Sequence, residues 1–215
     1  MPFYDQLMEA TARERDALFT LPVVRQTLGG EVSLVRYRAF LAQAYHHVRH
    51  TVPLMMSCGA RLGDSHPELL PALRAYIDEE IGHEQWILND IRAAGGDPDS
   101  VSAAEPSYHT ELMVAYAYDA IARRHALAFF GMVLVLEGTS TALATEAAAV
   151  VQRQLDLPDA AFSYLRSHGE LDQSHAQYFK QLMNRITATE DQAAIIHAAR
   201  RFYRLYGDLL NHLPY

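Results

Sequence analysis

The stretch YLRSHGELDQSHAQYF contains three side chains that can bind a metal ion: His168, Asp172 and His175. Successive residues of an α-helix turn by about 100°, so positions i, i+4 and i+7 lie on one face. The spacing therefore predicts a helix that presents two imidazoles and a carboxylate together. Alone, the pattern is equally typical of the solvated face of an amphipathic helix.

A second pair, Glu80 and His83 in AYIDEEIGHEQW, has the spacing Glu-x-x-His. This spacing places a carboxylate and an imidazole on one helix face in di-iron bundle proteins. Asp172 and His175 repeat it, with aspartate in place of glutamate. Glu79 is an alternative to Glu80, because it lies at i, i+4 from His83. A single Glu-x-x-His is a weak signal, since acidic residues surround this one.

The third feature is Glu137, which stands among apolar residues in GMVLVLEGTSTALA. We expect this helix to be too apolar to lie on the surface. An unpaired buried carboxylate is costly, so Glu137 should be protonated, ion-paired or bound to a metal. Arg123 and Arg124 lie more than about three helical turns away, and the sequence offers no nearer cation.

Together, three predicted helices carry three carboxylates and three imidazoles. Oxygen and imidazole ligands suit iron or manganese, and the lack of thiolates in the set disfavours structural zinc. Three facing carboxylates would repel one another, and two divalent cations would neutralise them and leave a small positive charge. The residues that we predict to bind metal and to be catalytic are Glu80, His83, Glu137, His168, Asp172 and His175.

The elements that must position these side chains are helices, because apolar residues recur every three to four positions and alternating β-branched runs are missing. An all-α bundle of seven helices is predicted. Their approximate ranges are Tyr4–Leu28, Ser33–Leu62, 67–95, His109–Arg123, Arg124–Leu155, Asp159–Ile186 and a last helix starting at a Thr189-Glu190-Asp191 cap. Ser33 is expected to cap the second helix and Pro53 to kink it. The segment GDPDSVSAAEPSY is expected to form a loop.

Length and composition restrict the function further. The 215 residues show no break in composition, so one domain over residues 1–215 is predicted. A formal charge of -8 argues against a nucleic-acid-binding surface. The single cysteine, Cys58, excludes an internal disulfide and a multi-cysteine cluster. The N-terminal segment lacks the pattern of a signal peptide, and Glu137 interrupts the most apolar window, so a cytoplasmic protein without a membrane span is expected.

The order Glu80-x2-His83, Glu137, His168-x3-Asp172-x2-His175 resembles that of the heme-oxygenase-like di-metal oxidases. Their superfamily also includes the TenA (thiaminase II) and pyrroloquinoline quinone synthase folds. The resemblance covers nearly the whole chain in length, helix number, ligand order and the gaps between motifs.

The resemblance implies a heme-oxygenase-like seven-helix bundle that holds two iron ions (Fe2+/Fe3+, with manganese as an alternative) and uses O2 as co-substrate. It implies oxidation of a small organic substrate such as an amino acid, a fatty acid or an amine, and a homodimer. In that family the helix that contains QAYHHVRHTVPLMM borders the substrate pocket, which implies substrate contacts for Tyr45, His47 and His50. From the residues alone, histidines lining a cavity or a third metal site both remain open.

Two rival functions remain. One is a metal-independent enzyme of the TenA or pyrroloquinoline quinone synthase type. Thiaminase-like members of this type imply a nucleophilic cysteine in the pocket, and Cys58 shows no evident match to that cysteine. The other is a non-catalytic helical module that binds a ligand. A haem-degrading enzyme would need a proximal histidine on the first helix, and no histidine precedes His46. The outcome of the oxidation (desaturation, C–C cleavage, decarboxylation or N-oxygenation) is left open.

Overall fold

The computed structural model describes the backbone of residues 1–63 and 65–215, and the side chains of the same residues apart from 168–175. Within these residues every regular element is helical, which confirms the all-α prediction. A π-helix covers Ala120–Arg124, and 3-10 turns cover Pro67–Leu69 and Asp159–Ala161. The α-helices are α1 (Phe3–Ala10), α2 (Ala12–Phe19), α3 (Pro22–Leu28), α4 (Leu34–Val48), α5 (Thr51–Leu62), α6 (Leu70–Glu80), α7 (His83–Ala93), α8 (Pro98–Ala103), α9 (Tyr108–Asp119), α10 (Ala128–Leu155), α11 (Ser163–Met183) and α12 (Thr189–Asn211).

The predicted number of seven helices is wrong, because several long predicted helices are divided. The predicted second helix breaks at Arg49 and His50 into α4 and α5. The expected kink at Pro53 is wrong as well. Pro53 lies in the first turn of α5, where a missing backbone N–H costs nothing because that group has no partner within the helix. The cap at Ser33 is confirmed, since its side chain accepts a hydrogen bond from the Arg36 backbone N–H.

The segment expected to be a loop contains α8. Asp97 caps this helix, because its Oδ1 accepts hydrogen bonds from the backbone N–H groups of Asp99 and Ser100 at 3.1 and 3.3 Å. Pro98 occupies the first helical position, which its fixed φ angle favours. The short helix was missed because Pro and Ser residues were interpreted as breakers rather than as the start of a helix.

Helix α10 is the central element, and it packs against both α11 and α12. Its N-terminal half is buried on all sides, from Ala128 to Val135. The approach to α12 requires a glycine at one point. A Cβ atom at Gly131 would lie 2.6 Å from the Ala199 backbone nitrogen and 2.9 Å from the Ile195 carbonyl oxygen. Gly131 therefore sets the distance between the two helices.

By length and composition alone, α10 is also apolar enough to cross a membrane, with a mean hydropathy of 1.4 over its most apolar window. Of that window, 56% is buried inside the bundle. The core helix of a folded bundle has the same two properties, so the test does not distinguish it from a membrane span.

The start of α12 differs from the prediction. The N-cap position is Ala188, and Thr189 is already helical. Asp191 is buried in the first turn, where its two oxygens lie 2.9 Å from His66 Nε2 and 3.1 Å from His125 Nε2. A carboxylate is favoured at this end of a helix by the helix dipole. Asp191 thus ties α12 to the segment before α6 and to the segment before α10.

Candidate metal centre

A cavity of about 50 Å³ brings together two of the predicted carboxylates. Glu80, at the end of α6, and Glu137, on α10, both line it, although they lie far apart in the sequence. His47 of α4 lines it as well, and the other walls are largely apolar. The described residues that line it are His47, Val48, Thr51, Met55, Glu80, Phe129, Met132, Val133, Leu136, Glu137, Ser140 and Tyr164.

Glu80 and His83 form a close pair, with His83 Nδ1 lying 3.0 Å from Glu80 Oε2. Both residues are buried, with 9% and 3% of their surfaces exposed. Two donor atoms that each lie about 2.1 Å from one divalent ion, at right angles, are separated by about 3.0 Å. The pair therefore has a spacing that fits two adjacent ligands of one ion. Glu79 is exposed, which favours Glu80 as the ligand.

The expectation that Glu80 and His83 share one face of a continuous helix is wrong. Helix α6 ends at Glu80 and α7 begins at His83. Between them, Ile81 is extended and Gly82 has a φ angle of +92°, in the left-handed region. The two side chains are brought together by this turn rather than by the helical repeat.

Replacement of Gly82 tests the role of the turn. Within the part of the chain that the structure describes, no atom lies within 4 Å of a Cβ at this position, so the expected cost is conformational. We expect Gly82→Ala to lower the free energy of unfolding by about 1 kcal/mol, measured by urea denaturation. Gly82→Asn should cost less, because asparagine tolerates the left-handed region. Equal stability of the alanine variant and the parent would contradict the assignment of a strained turn.

Glu137 is half-buried, not enclosed as expected, because the C-terminal half of α10 has an exposed face that includes Gly138. Its carboxylate acts on Tyr76, a buried residue one turn before Glu80 on α6. Burial first, and then the Glu137 carboxylate, raise the pKa of Tyr76. Tyr76 therefore stays a neutral phenol beside the two carboxylates, and sequence reasoning missed it; its spacing of i, i+4 from Glu80 was the available signal.

Asp90 stabilises the start of α11, the helix that contains His168, Asp172 and His175. It is fully buried on α7, and its Oδ1 accepts hydrogen bonds from the Ser163 backbone N–H at 3.0 Å and the Ser163 hydroxyl at 2.5 Å. Its Oδ2 accepts one from the Tyr164 backbone N–H at 2.9 Å. Asp90 thus caps α11 from a neighbouring helix. It lies at i+7 from His83, on the same side of α7, and it was missed because it resembles any acidic surface residue in sequence.

The side chains of His168, Asp172 and His175 lie outside the part that the structure describes, although their backbone belongs to α11. Among the described side chains, no group of three His, Cys, Asp or Glu residues is arranged around one point for a metal ion. Glu80, His83 and Glu137 are thus the described half of the predicted set, and each has at least one interaction partner.

The three predicted substrate contacts lie in different places. His47 is buried and lines the cavity with Glu80 and Glu137. The Nδ1 atom of His50 lies 3.1 Å from the Tyr118 hydroxyl, and His50 is not among the described lining residues. Tyr45 packs in the core beside α7, with the Arg49 guanidinium over its ring. Of the three, His47 is placed to contact a molecule in the cavity.

A second cavity, of about 130 Å³, adjoins the first, since Ser140 and Tyr164 line both. Its walls are mostly apolar residues of α3, α4, α10 and α12. Its polar groups include the buried Arg36 and the Thr139 hydroxyl, which has no hydrogen-bond partner among the described residues. Such an arrangement suits an apolar molecule with one or two polar groups.

The family of the chain follows from its sequence. The sequence profile of the family described as iron-containing redox enzyme matches residues 38–207, which include all six predicted ligands. The chain belongs to this family. No curated protein matches the sequence.

Solved structures with the same fold include three informative ones. A domain of unknown function with a heme oxygenase-like fold from Shewanella denitrificans OS217 is 20% identical, with a TM-score of 0.88 over 99% of this chain and 92% of that chain. A TenA homologue from Pseudomonas syringae pv. tomato DC3000 is 14% identical, with a TM-score of 0.80 over 99% and 93%. Heme oxygenase-1 from Synechocystis sp. PCC 6803, in complex with heme, is 16% identical, with a TM-score of 0.78 over 99% and 92%. The heme-oxygenase-like fold is therefore confirmed.

Proposed function

We propose that this protein is a non-heme di-metal enzyme that uses O2 to oxidise a small organic substrate. The observation that carries the proposal is the cavity in which Glu80 and Glu137, from two different helices, face the same space. Membership in a family of iron-containing redox enzymes supports iron as the metal. The two-iron count rests on the full set of ligands in the sequence.

The donor set fits two divalent cations. Glu80, His83 and Glu137 would supply one imidazole and two carboxylates, and His168, Asp172 and His175 would supply the rest. Three carboxylates nearly balance two divalent ions, so an anionic substrate or O2 would meet a site with a small positive charge. Carboxylate and imidazole ligands leave such ions able to change oxidation state. When bound, the irons would supply the electrons that reduce O2.

The residues around the cavity would perform three tasks. Its apolar walls, among them Phe129 and Met132, would exclude bulk water from the reaction. The neutral Tyr76 phenol would hold a proton beside the Glu80 and Glu137 carboxylates. The adjoining apolar cavity, reached past Ser140 and Tyr164, would receive the body of the substrate.

Cys58 argues against thiaminase chemistry of the TenA type. The residue is fully buried on α5, and its Sγ donates a hydrogen bond to the Ala126 carbonyl oxygen at 3.3 Å. Burial raises the pKa of the Cys58 thiol to about 12. A nucleophilic cysteine needs the thiolate form, which this environment suppresses. The redox function is therefore better supported than a cysteine-dependent one.

The proposal is tested by O2 consumption. Protein loaded anaerobically with Fe(II) is mixed with O2-saturated buffer, while an O2 electrode and a stopped-flow spectrometer follow the reaction. We expect O2 uptake well above that of free Fe(II), with a transient visible absorption band. Uptake no faster than that of the same Fe(II) without protein would contradict the proposal.

A further inference from the structure

A third cavity lies at the junction of α9, the π-helix, α10 and α12. Its volume is about 150 Å³, and none of the described residues that line it lines either of the two cavities above. Four of its eight described lining residues, Tyr116, Arg124, His125 and His197, carry a polar or cationic group. The lining residues are Tyr116, Ala120, Arg124, His125, Ala128, Ala194, His197 and Ala198.

Tyr116 is one of the residues that line this cavity, and its hydroxyl oxygen is a polar atom of interest. The oxygen is buried, and it has no hydrogen-bond partner among the described residues. Phe202 holds the ring in an edge-to-face contact, with the centroids 5.1 Å apart. Burial raises the pKa of Tyr116, so the phenol stays protonated and can donate. A buried hydroxyl without a partner is unfavourable, and an acceptor in the cavity would satisfy it.

The cavity also lies in a cluster of positive charge, although the chain has a net charge of -8. Arg124 and His197 line the cavity. Burial first, and then the guanidinium groups of Arg201, Arg124 and Arg200, lower the pKa of His197. The neighbouring cations are therefore close enough to act on a group at the cavity wall, and an anion placed there would be stabilised by the same charges.

The carboxylates near the cavity do not compensate this charge fully. The Asp119 carboxylate lies 3.9 Å from Arg124 Nε and 3.4 Å from an Nη atom of Arg123. Both distances are longer than a good hydrogen bond, so the guanidinium N–H groups can still donate to another acceptor. Asp191 is engaged by two histidines. His125 uses Nε2 towards Asp191, and its Nδ1 accepts from the Leu127 backbone N–H, so its ring serves as a wall rather than as a donor.

Backbone geometry places Arg124 at this wall. It is the last residue of the π-helix Ala120–Arg124, after which His125 is extended. A π-helix adds a residue to the turn and redirects the side chains that follow, and such segments occur frequently at functional sites. The π-helix thus contributes two of the lining residues of the cavity, Ala120 and Arg124.

We propose that this cavity binds a small oxyanion, the phosphate or carboxylate group of a ligand, through the Tyr116 hydroxyl, the Arg124 guanidinium and the His197 imidazole. The site is separate from the candidate metal centre and does not depend on the proposed redox function. Charge-assisted hydrogen bonds from arginine are the usual means of binding such groups.

The test is calorimetric titration of the metal-free chain with inorganic phosphate and, separately, with acetate, at constant ionic strength. We expect saturable binding of one anion per chain. Preference for phosphate assigns a phosphorylated ligand, and preference for acetate assigns a carboxylic acid. Absence of saturable binding of either anion would overturn the proposal.

Variants locate the binding. Arg124→Gln should weaken it about tenfold and Tyr116→Phe about fivefold, whereas Arg123→Gln, the adjacent and more exposed arginine, should change it by less than about twofold. Asp119→Asn should strengthen it, because a competing carboxylate is removed. Tyr116→Phe preserves the ring and keeps the test valid if Arg124→Gln does not fold. Equal effects of Arg123→Gln and Arg124→Gln, or no effect of Tyr116→Phe, would overturn the assignment.

Discussion

Glu137→Gln is expected to abolish most of the activity while leaving the fold intact. Glutamine has the same shape as glutamate but lacks the negative charge and one ligand oxygen. We expect bound iron to fall from about two ions per chain to about one or fewer. The O2-dependent rate should fall by about 100-fold or more. Loss of a metal ligand should lower the activity at least as much as loss of a residue that hydrogen-bonds to a ligand. Iron analysis and O2 electrode measurements give the two values.

The matched control is Glu146→Gln. Glu146 lies on the same helix, α10, with an exposed side chain away from the cavity. The substitution changes the net charge by the same amount, so a general electrostatic effect would appear in both variants. Iron content and O2 uptake should stay at the level of the parent protein. Equal losses in the two variants would show that Glu137 acts through charge alone and is not a ligand.

The second large effect is expected on stability, from Gly131→Ala. The added Cβ would lie within 3 Å of α12 backbone atoms and 2.8 Å from the Ala198 Cβ. Because backbone atoms cannot move aside as a flexible side chain can, α10 and α12 must separate. We expect a loss of about 2 kcal/mol in the free energy of unfolding, measured by urea denaturation.

Gly138→Ala on the same helix is the control, and its expected effect has the opposite sign. No atom of the described residues lies within 4 Å of a Cβ at Gly138. Alanine should therefore stabilise α10 by about 0.5–1 kcal/mol, through its higher helix propensity. A similar loss of stability in both variants would mean that the contact with α12 does not explain the effect of Gly131→Ala. Equal stability of Gly131→Ala and the parent would contradict the close approach of the two helices.

Much of the fold could be predicted from the sequence, because helical periodicity extends through most of the chain. The Ser33 cap follows from a local signal that the structure retains. The last helix is present as predicted, although its N-cap is Ala188 rather than the predicted Thr189-Glu190-Asp191 cap. The divisions of the long helices could not be predicted in the same way. At Gly82 a single residue in the left-handed region ends one helix and begins the next, and the periodicity on both sides is unchanged.

The site could be predicted only in part. Glu80 was selected by its Glu-x-x-His spacing and Glu137 by its apolar surroundings, and the structure places both at one cavity. Tyr76 and Asp90 were not selected, because each acts through tertiary contacts: Tyr76 beside carboxylates from two helices, and Asp90 at the start of α11. A pattern along one helix contains no information on which neighbouring helix its polar residues will meet.

The central claim, a centre of two iron ions, is tested most directly by counting the metal. The protein is titrated anaerobically with Fe(II), freed of excess metal, and analysed for iron per chain, together with the variants Glu80→Gln, Glu137→Gln and His168→Ala. The account predicts about two iron ions per chain in the parent and a clear loss in each variant. Less than one ion per chain in the parent, or an iron content that none of the three variants changes, would contradict it.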